Sequence, residues 1–221
     1  MTDKTQITRE FWDKLHDSIG TGVQRDPNRY LISEVEGLAP GSALDLGCAQ
    51  GADAIWLAHD GWRVTAVDVS DIAIERAREN ATRAGLADRI TFARHDLAAD
   101  FPEGSFDLVS AQFLHSPVAA PGEREQILRR AAGAVAPGGH LLVVSHQSVP
   151  SWHPKLPEGL TEHPINLTVQ TPAENIAALR LADGEWQTIR AETVAIEVTS
   201  PAGEPGIRED HLLHYRREAG T

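Results

Sequence analysis

The chain of 221 residues holds one cysteine, one methionine, two tyrosines and three lysines, Lys4, Lys14 and Lys155. The lone Cys48 can close no internal disulfide, so the sequence reads as a protein of a reducing compartment rather than a disulfide-framed secreted domain. No stretch approaches the ~20 apolar residues of a membrane span, and Met1-Thr2-Asp3-Lys4-Thr5-Gln6 lacks the basic-then-apolar layout of a signal peptide. A cytoplasmic location with no membrane partner is expected. Base is scarce as well: 20 Lys and Arg stand against 32 Asp and Glu, a formal net charge of −12. Proteins that neutralise a phosphate backbone present a basic face. Here Arg129-Arg130 and Arg216-Arg217 are isolated pairs, so no nucleic-acid partner is expected. Seventeen arginines against three lysines, with abundant alanine, suggest a GC-rich bacterial genome.

What is present is concentrated between residues 43 and 68. The run Ala43-Leu44-Asp45-Leu46-Gly47-Cys48-Ala49-Gln50-Gly51 ends an apolar segment in closely spaced glycines, a pattern that lets backbone approach a ligand where no side chain would fit. Val64-Thr65-Ala66-Val67-Asp68 then closes a second apolar segment on an acid, and Asp68 follows Gly47 at close to the ~20-residue spacing expected of a ribose ligand. The glycines do not match G-x-G-x-x-G, the turn that sets a pyrophosphate on a helix N-terminus, and Asp45 adds a carboxylate suited to a cationic or amino-bearing ligand. Cys48 is explained by the turn itself, and a nucleophilic role is disfavoured.

These segments resemble motif I and the following acid of the class I S-adenosylmethionine-dependent methyltransferases, with Ala49 where that family usually has its middle glycine. Phe92-Ala93-Arg94-His95-Asp96-Leu97, Phe106-Asp107-Leu108-Val109-Ser110-Ala111-Gln112 and Ala136-Pro137-Gly138-Gly139-His140-Leu141-Leu142-Val143-Val144 resemble the family's later landmarks in the same order. The resemblance implies an α/β fold: one Rossmann-like seven-stranded sheet of order 3-2-1-4-5-7-6, strand 7 antiparallel, with helices on both faces. It implies S-adenosylmethionine as cofactor, held by Asp45, Gly47, Cys48, Ala49, Gly51, Asp68, Val69, Asp96, Leu97 and Gln112. Phe11-Trp12-Asp13-Lys14-Leu15 and Asp53-Ala54-Ile55-Trp56-Leu57-Ala58 place the chain nearest the tellurite-resistance and thiopurine-type branch, which acts on small molecules.

The residue patterns divide the chain without a second domain. Phe11, Trp12, Leu15 and Ile19 recur at helical spacing before Gly20, so residues 1–40 read as a helical segment, in the family a lid, ahead of a domain at 41–221. Apolar segments alternate with helical patterns at 43–47, 51–60, 63–67, 71–84, 90–94, 106–112, 122–136 and 140–146, with Ser70 as an N-cap. The stretch 147–170, with Pro150, Pro154, Pro157 and Pro164, reads as a substrate loop. Thr171-Pro172-Ala173-Glu174 is a capping box opening a helix to about Leu181, and strands are expected at 186–198 and 208–217.

Methyl transfer from a sulfonium mainly requires alignment and the exclusion of water. A base is needed only when the nucleophile arrives protonated, and His115, just past the fourth strand, is the candidate base or substrate contact. Trp12, Phe113, His146, Trp152 and His153 join it as candidate contacts to a small-molecule acceptor. Histidine is a common metal ligand, yet these spacings match no ligand pattern, and the region past the fourth strand lacks the carboxylates of a magnesium site, so no metal is expected. Trp56 and Trp62 read as core residues, and Asp107 as a structural acid. A non-catalytic sensor of the cofactor or its product, and an NAD(P)-linked reductase, are the competing readings. The acceptor and the oligomeric state stay open.

Overall fold

The computed structural model describes residues 3–20, 26–149, 159, 169–200 and 202–220. Helix α1 (Lys4–Ile19) starts where the Asp3 side chain accepts from Thr5 N and stops at Gly20, whose φ of 79° ends the helical path. A short α2 (Arg29–Val35) follows, capped by Asn28. The alternating core then runs β1 (Ser42–Leu46), α3 (Ala52–His59), β2 (Arg63–Asp68), α4 (Asp71–Arg83), β3 (Ile90–Arg94), β4 (Phe106–Gln112), α5 (Glu123–Gly133), β5 (Val135–Ser148), α6 (Pro172–Leu179), β6 (Trp186–Thr199) and β7 (Pro205–Arg217).

The sheet order is β3-β2-β1-β4-β5-β7-β6, as the resemblance implies. Strands β1 to β5 pair in parallel, and β7 inserts antiparallel between β5 and β6. Parallel strands require crossover connections, and α3, α4 and α5 supply them. Both faces of the sheet are covered, by one cluster around Leu31, Leu57, Trp62 and Leu212 and another around Leu44, Leu128, Leu141 and Leu213. Among the described residues no helix is long and apolar enough to cross a membrane.

Several local expectations hold and several shift. Ser70 caps α4 by accepting from Ala73 N at 3.1 Å, and the Thr171/Glu174 capping box forms with Pro172 in the first turn. The helix expected at 122–136 ends at Gly133, and the one expected to reach Leu181 ends at Leu179. Pro137 to Gly139, between the expected helix at 122–136 and strand at 140–146, lie within β5, which joins β4 at Val135 and again from His140 after an irregularity. The same strand runs on to Ser148, two positions into the expected loop; most of the rest of 147–170 lies outside the described residues. Asp107 accepts from Ser42 N and Ser42 Oγ at 2.8 Å each, a structural clamp at the foot of the sheet.

Strand β6 forms one border of the sheet and is largely exposed. Arg190 on it pairs with Glu34 at 2.6 Å and with Glu192. Nearby, a partly buried chain links Glu34 Oε2 to His214 Nδ1 at 3.0 Å and His214 Nε2 to His140 Nδ1 at 2.8 Å. Burial, then His214 and Arg216, push the His140 pKa down to about 4.

Candidate functional site

The carboxyl ends of parallel strands leave a crevice in which open α/β sheets bind ligands. Here that crevice is a cavity of about 860 Å³, within the ~300–1,000 Å³ range of small-molecule sites. Its near wall comes from the tips of β1, β2 and β3, its far wall from the residues after β4 and the start of α5, and α1 contributes Thr8, Trp12, Leu15, His16 and Ile19.

The near wall is acidic. Asp45, Asp53, Asp68 and Asp96 all line it, and Asp45 is 2% exposed. Asp68 is fixed from two sides, accepting from Ala49 N and Ser70 N at 2.9 Å each, so its carboxylate has acceptor sites left for a ligand. Burial raises the pKa of Asp68 and raises that of Asp45 further, with Asp53 and then Asp68 adding to the effect on Asp45. Asp53 accepts from Asn28 N at 2.6 Å, and burial raises it to about 6. Sequence reasoning did not place Asp53 in the site, although its position in the first turn of a helix following a glycine bend was a usable signal.

The turn between β1 and α3 makes the space. Gly47 (φ 73°) and Gly51 (φ 84°) are left-handed, and a Cβ at Gly47 would lie 2.8 Å from Leu114 Cδ1. Ala49, in place of a glycine, also adopts φ 46°, a conformation that costs an L residue about 1 kcal/mol. Its amide is the one bonded to Asp68, which supplies the compensation. Cys48 lines the cavity with its thiol pKa pushed well up by burial, then by Asp68 and Asp45, so it stays protonated and poorly nucleophilic.

Two acceptors on this wall lack donors. Among the described residues, Asp45 Oδ2 and Gln112 Oε1 are buried without a hydrogen-bond partner, and both residues line the cavity. Gln112 Nε2 is engaged by Ser110 Oγ at 3.0 Å, and Ser110 stands opposite Asp45 in the β1–β4 register. Buried acceptors left without donors are costly, and a ligand bearing an ammonium group satisfies them. The donor set therefore fits the amino acid end of an S-adenosyl ligand. Val69, Leu97, Trp56 and Leu86 add apolar surface, Trp56 facing the cavity rather than sitting wholly in the core; Trp62 is fully buried, as expected.

The far wall is made of rings and a guanidinium. Phe113 adopts φ 52°, a strained left-handed conformation, and its ring stacks on His146 at 4.3 Å with Arg208 5.6 Å from its centroid. Phe113 and His115 line the cavity; His146 stacks on Phe113 and meets His115 edge-on at 6.0 Å. His146 Nδ1 bonds Asp210 Oδ1 at 2.9 Å, and the fully buried Asp210 also accepts from Tyr30 Oη at 3.0 Å and from Arg208. Burial, then His146 and Arg124, lower the His115 pKa, which leaves its imidazole neutral at pH 7. Trp12 Nε1 donates to Ser116 Oγ at 3.3 Å across the opening. Trp152 and His153 lie outside the described residues. Among the described residues no group of three or more His, Cys, Asp or Glu side chains is arranged to hold a metal.

Helix α1 is anchored at the junction of the two walls. Ser70 Oγ donates to Asp13 Oδ1 at 2.6 Å and Ile72 N to the same oxygen at 3.3 Å, tying the helix to the start of α4 beside Asp68. Lys4 bonds the carbonyl of Val118 and Arg76 that of His16.

Residues 43–139 match the family model described as "Methyltransferase domain". The chain is 31% identical over 149 residues to 27-O-demethylrifamycin SV methyltransferase of Amycolatopsis mediterranei, a match covering 64% of this chain and 51% of that protein. It is 32% identical over 113 residues to ribosomal RNA small subunit methyltransferase C of Alcanivorax borkumensis, covering 50% and 34%. The chain thus spans about half or less of the length of these curated relatives. Among solved structures, TehB from Haemophilus influenzae superposes with a TM-score of 0.65 at 18% identity, over 93% of this chain and 66% of that one. Magnesium protoporphyrin IX methyltransferase from Synechocystis PCC 6803 with bound S-adenosylmethionine superposes with a TM-score of 0.65 at 18% identity, over 99% of both chains. At these identities the structural likeness bears on the fold.

Proposed function

We propose that the chain is a class I S-adenosylmethionine-dependent methyltransferase, a reading supported by the match of residues 43–139 to the "Methyltransferase domain" model and by its methyltransferase relatives, and that it methylates an S, N or O atom of a small molecule held at the His115 side of its cavity. The observation that carries the reading is the pair of donorless buried acceptors, Asp45 Oδ2 and Gln112 Oε1, on the wall that also presents Asp68. In this reading Asp68 receives the ribose hydroxyls, Asp96 and Leu97 border the adenine, and the Gly47–Gly51 turn with Cys48, Ala49 and Val69 shapes the space around the cofactor. Bound there, S-adenosylmethionine supplies an electrophilic methyl group on a sulfonium.

The protein's own part is alignment and proton management. Phe113, held in a strained conformation by its stack on His146, presents an apolar face to the acceptor, and Trp12 closes over it from α1. Neutral His115 takes the proton of a thiol, hydroxyl or ring nitrogen as the bond to carbon forms. In this reading α1 acts as the lid. A small-molecule acceptor fits a cavity enclosed by α1 and the acidic balance of the chain, and among the relatives it matches the rifamycin enzyme's name rather than the ribosomal one's.

The test is calorimetry with S-adenosylmethionine and S-adenosylhomocysteine, followed by mass-spectrometric detection of methyl transfer to a panel of thiols, phenols and nitrogen heterocycles. Cofactor binding with transfer to a panel member is the expected result. No heat with either nucleoside on folded protein overturns the reading, and transfer to ribosomal RNA or a ribosomal protein but to no small molecule overturns the acceptor class.

A further inference from the structure

The charges of the cavity are unevenly spread. Asp45, Asp53, Asp68 and Asp96 line the side formed by β1 to β3, together with Arg83 from α4, while Arg124 lines the side formed after β4, on the same wall as His115 and next to Glu123, whose carboxylate is taken by Lys4 and Ala120 N. Arg124 is mostly buried, and all the acceptors it meets are neutral. Its Nε donates to Leu114 O at 2.8 Å, Nη1 to Asn175 Oδ1 at 2.6 Å and to Gln170 Oε1, and Nη2 to Ser145 Oγ at 3.2 Å. These use four of the five N–H groups of a guanidinium. Among the described residues no carboxylate pairs with it within 4.0 Å. Glu125 acts on it only at a distance, bonded to the far side of Gln170.

A buried cation satisfied by dipoles alone keeps its hydrogen bonds and still lacks the opposite charge that offsets its desolvation. Burial has pulled the Arg124 pKa down to about 10, so it remains charged at neutral pH, and its field also lowers the pKa values of His115 and His211. The neutral acceptors fix the guanidinium in place from three elements, the segment after β4, the end of β5 and the start of α6, so a ligand meeting its remaining Nη2 donor finds it already ordered. Apolar surface from Phe113, Leu114 and Ile127 surrounds it and strengthens any charge interaction there. The ammonium and sulfonium of the cofactor are drawn to the acidic side, and its carboxylate, one carbon from the ammonium, stays with it at the Asp45–Gln112 end in this reading.

We propose that the methyl acceptor carries a fixed acidic group, a carboxylate, sulfonate or phosphate monoester, which Arg124 seats beside His115. The inference rests on the methyl-transfer reading above and narrows it from a small molecule to an acidic one. Arg124 is thus a specificity-determining residue: it places the acceptor by its acid group and leaves the nucleophilic atom to His115.

The test compares charged molecules with neutral twins of similar shape on protein saturated with S-adenosylhomocysteine: salicylate and salicylamide, benzenesulfonate and benzenesulfonamide, phenyl phosphate and phenol, 3-mercaptopropionate and its methyl ester. Calorimetry is expected to show at least one charged member binding about tenfold tighter than its twin, a typical effect of one charge-assisted hydrogen bond. In Arg124→Gln the ratio falls to about 1 while the heat with S-adenosylhomocysteine persists; Arg124→Lys retains part of the preference. If Arg124→Gln fails to fold, the wild-type ratio and the lysine variant decide. No charged member outbinding its twin, or a preference that survives Arg124→Gln, overturns the inference. Absence of heat with S-adenosylhomocysteine itself instead brings down the underlying reading.

Discussion

The tips of β1, β2 and β3 present carboxylates, and the tips of β4 and β5 lead to imidazoles, an aromatic ring and a guanidinium. The first side is built from short-range chemistry: a glycine turn, an acid ending a strand, and backbone amides from Ala49 and Ser70 that hold Asp68. The second is built from distant partners, with Asp210 on β7 fixing His146 on β5 and His146 supporting Phe113 after β4. The difference teaches where variation can occur. A wall made within one turn tolerates little change, whereas a wall assembled from four elements can be retuned one side chain at a time.

The comparison breaks or sharpens through variants that should affect one side and spare the other. The largest expected effect is at His115: His115→Asn lowers kcat about 100-fold or more, the usual range for a lost general base, with affinity for S-adenosylhomocysteine unchanged by calorimetry. A rise in KM with kcat intact would make His115 a contact instead. Next, Asp68→Ala weakens S-adenosylhomocysteine about 100-fold, the worth of two charge-assisted hydrogen bonds, and Asp68→Asn, which keeps one acceptor, loses less. Equal affinity in both variants would remove Asp68 from the cofactor wall.

The acidic side also has a pH signature. Asp53 titrates near pH 6 when folded and near 3.8 otherwise, so between these values the free protein binds the extra proton and loses stability as pH rises. An ammonium ligand needs the deprotonated form, so S-adenosylhomocysteine affinity should increase several-fold from pH 5 to 7.5; a flat profile would detach Asp53 from the ligand. Ala49→Gly relieves the left-handed strain of about 1 kcal/mol and raises Tm by about 2–4 °C, measured by calorimetric scanning. The smallest effect lies away from both walls. His140, held at about 4 when folded against 6.5 otherwise, binds fewer protons in the native state, so its contribution to stability is lost as pH falls from 6.5 towards 4. Because His140 is half exposed, solvent screens the effect. A slightly flatter Tm profile over that window in His140→Gln would confirm it.

Much of the near wall could be read from the order of residues, because strand, turn and acid are neighbours in the chain. Gly47, Asp68 and Asp96 line the cavity where the pattern places them, Gly51 bends the turn without lining it, and the strand order is the one the resemblance implies. Asp53 was obscured by its ordinary place in a helix. The far wall resisted reading for a physical reason: Arg124 looks like a solvated helix residue until α6 and β5 close over it, and Asp210 looks like one charge among several until Tyr30 and Arg208 surround it. Long-range burial creates those environments, and no local spacing encodes it. His146, expected as a substrate contact, stacks behind the cavity-lining Phe113, and that contact depends on a backbone conformation at Phe113 that no residue type announces.

Strand β6 has one further consequence. A sheet that stops at an open ladder invites a neighbouring molecule to continue it, and the usual defence is charge along the rim. Arg190 clasped between Glu34 and Glu192, with Glu197 further along, supplies that deterrent despite exposed Ile189. Replacing the arginine would leave two acids without their counter-ion and an isoleucine beside unpaired amides, turning this rim into the place where self-association begins.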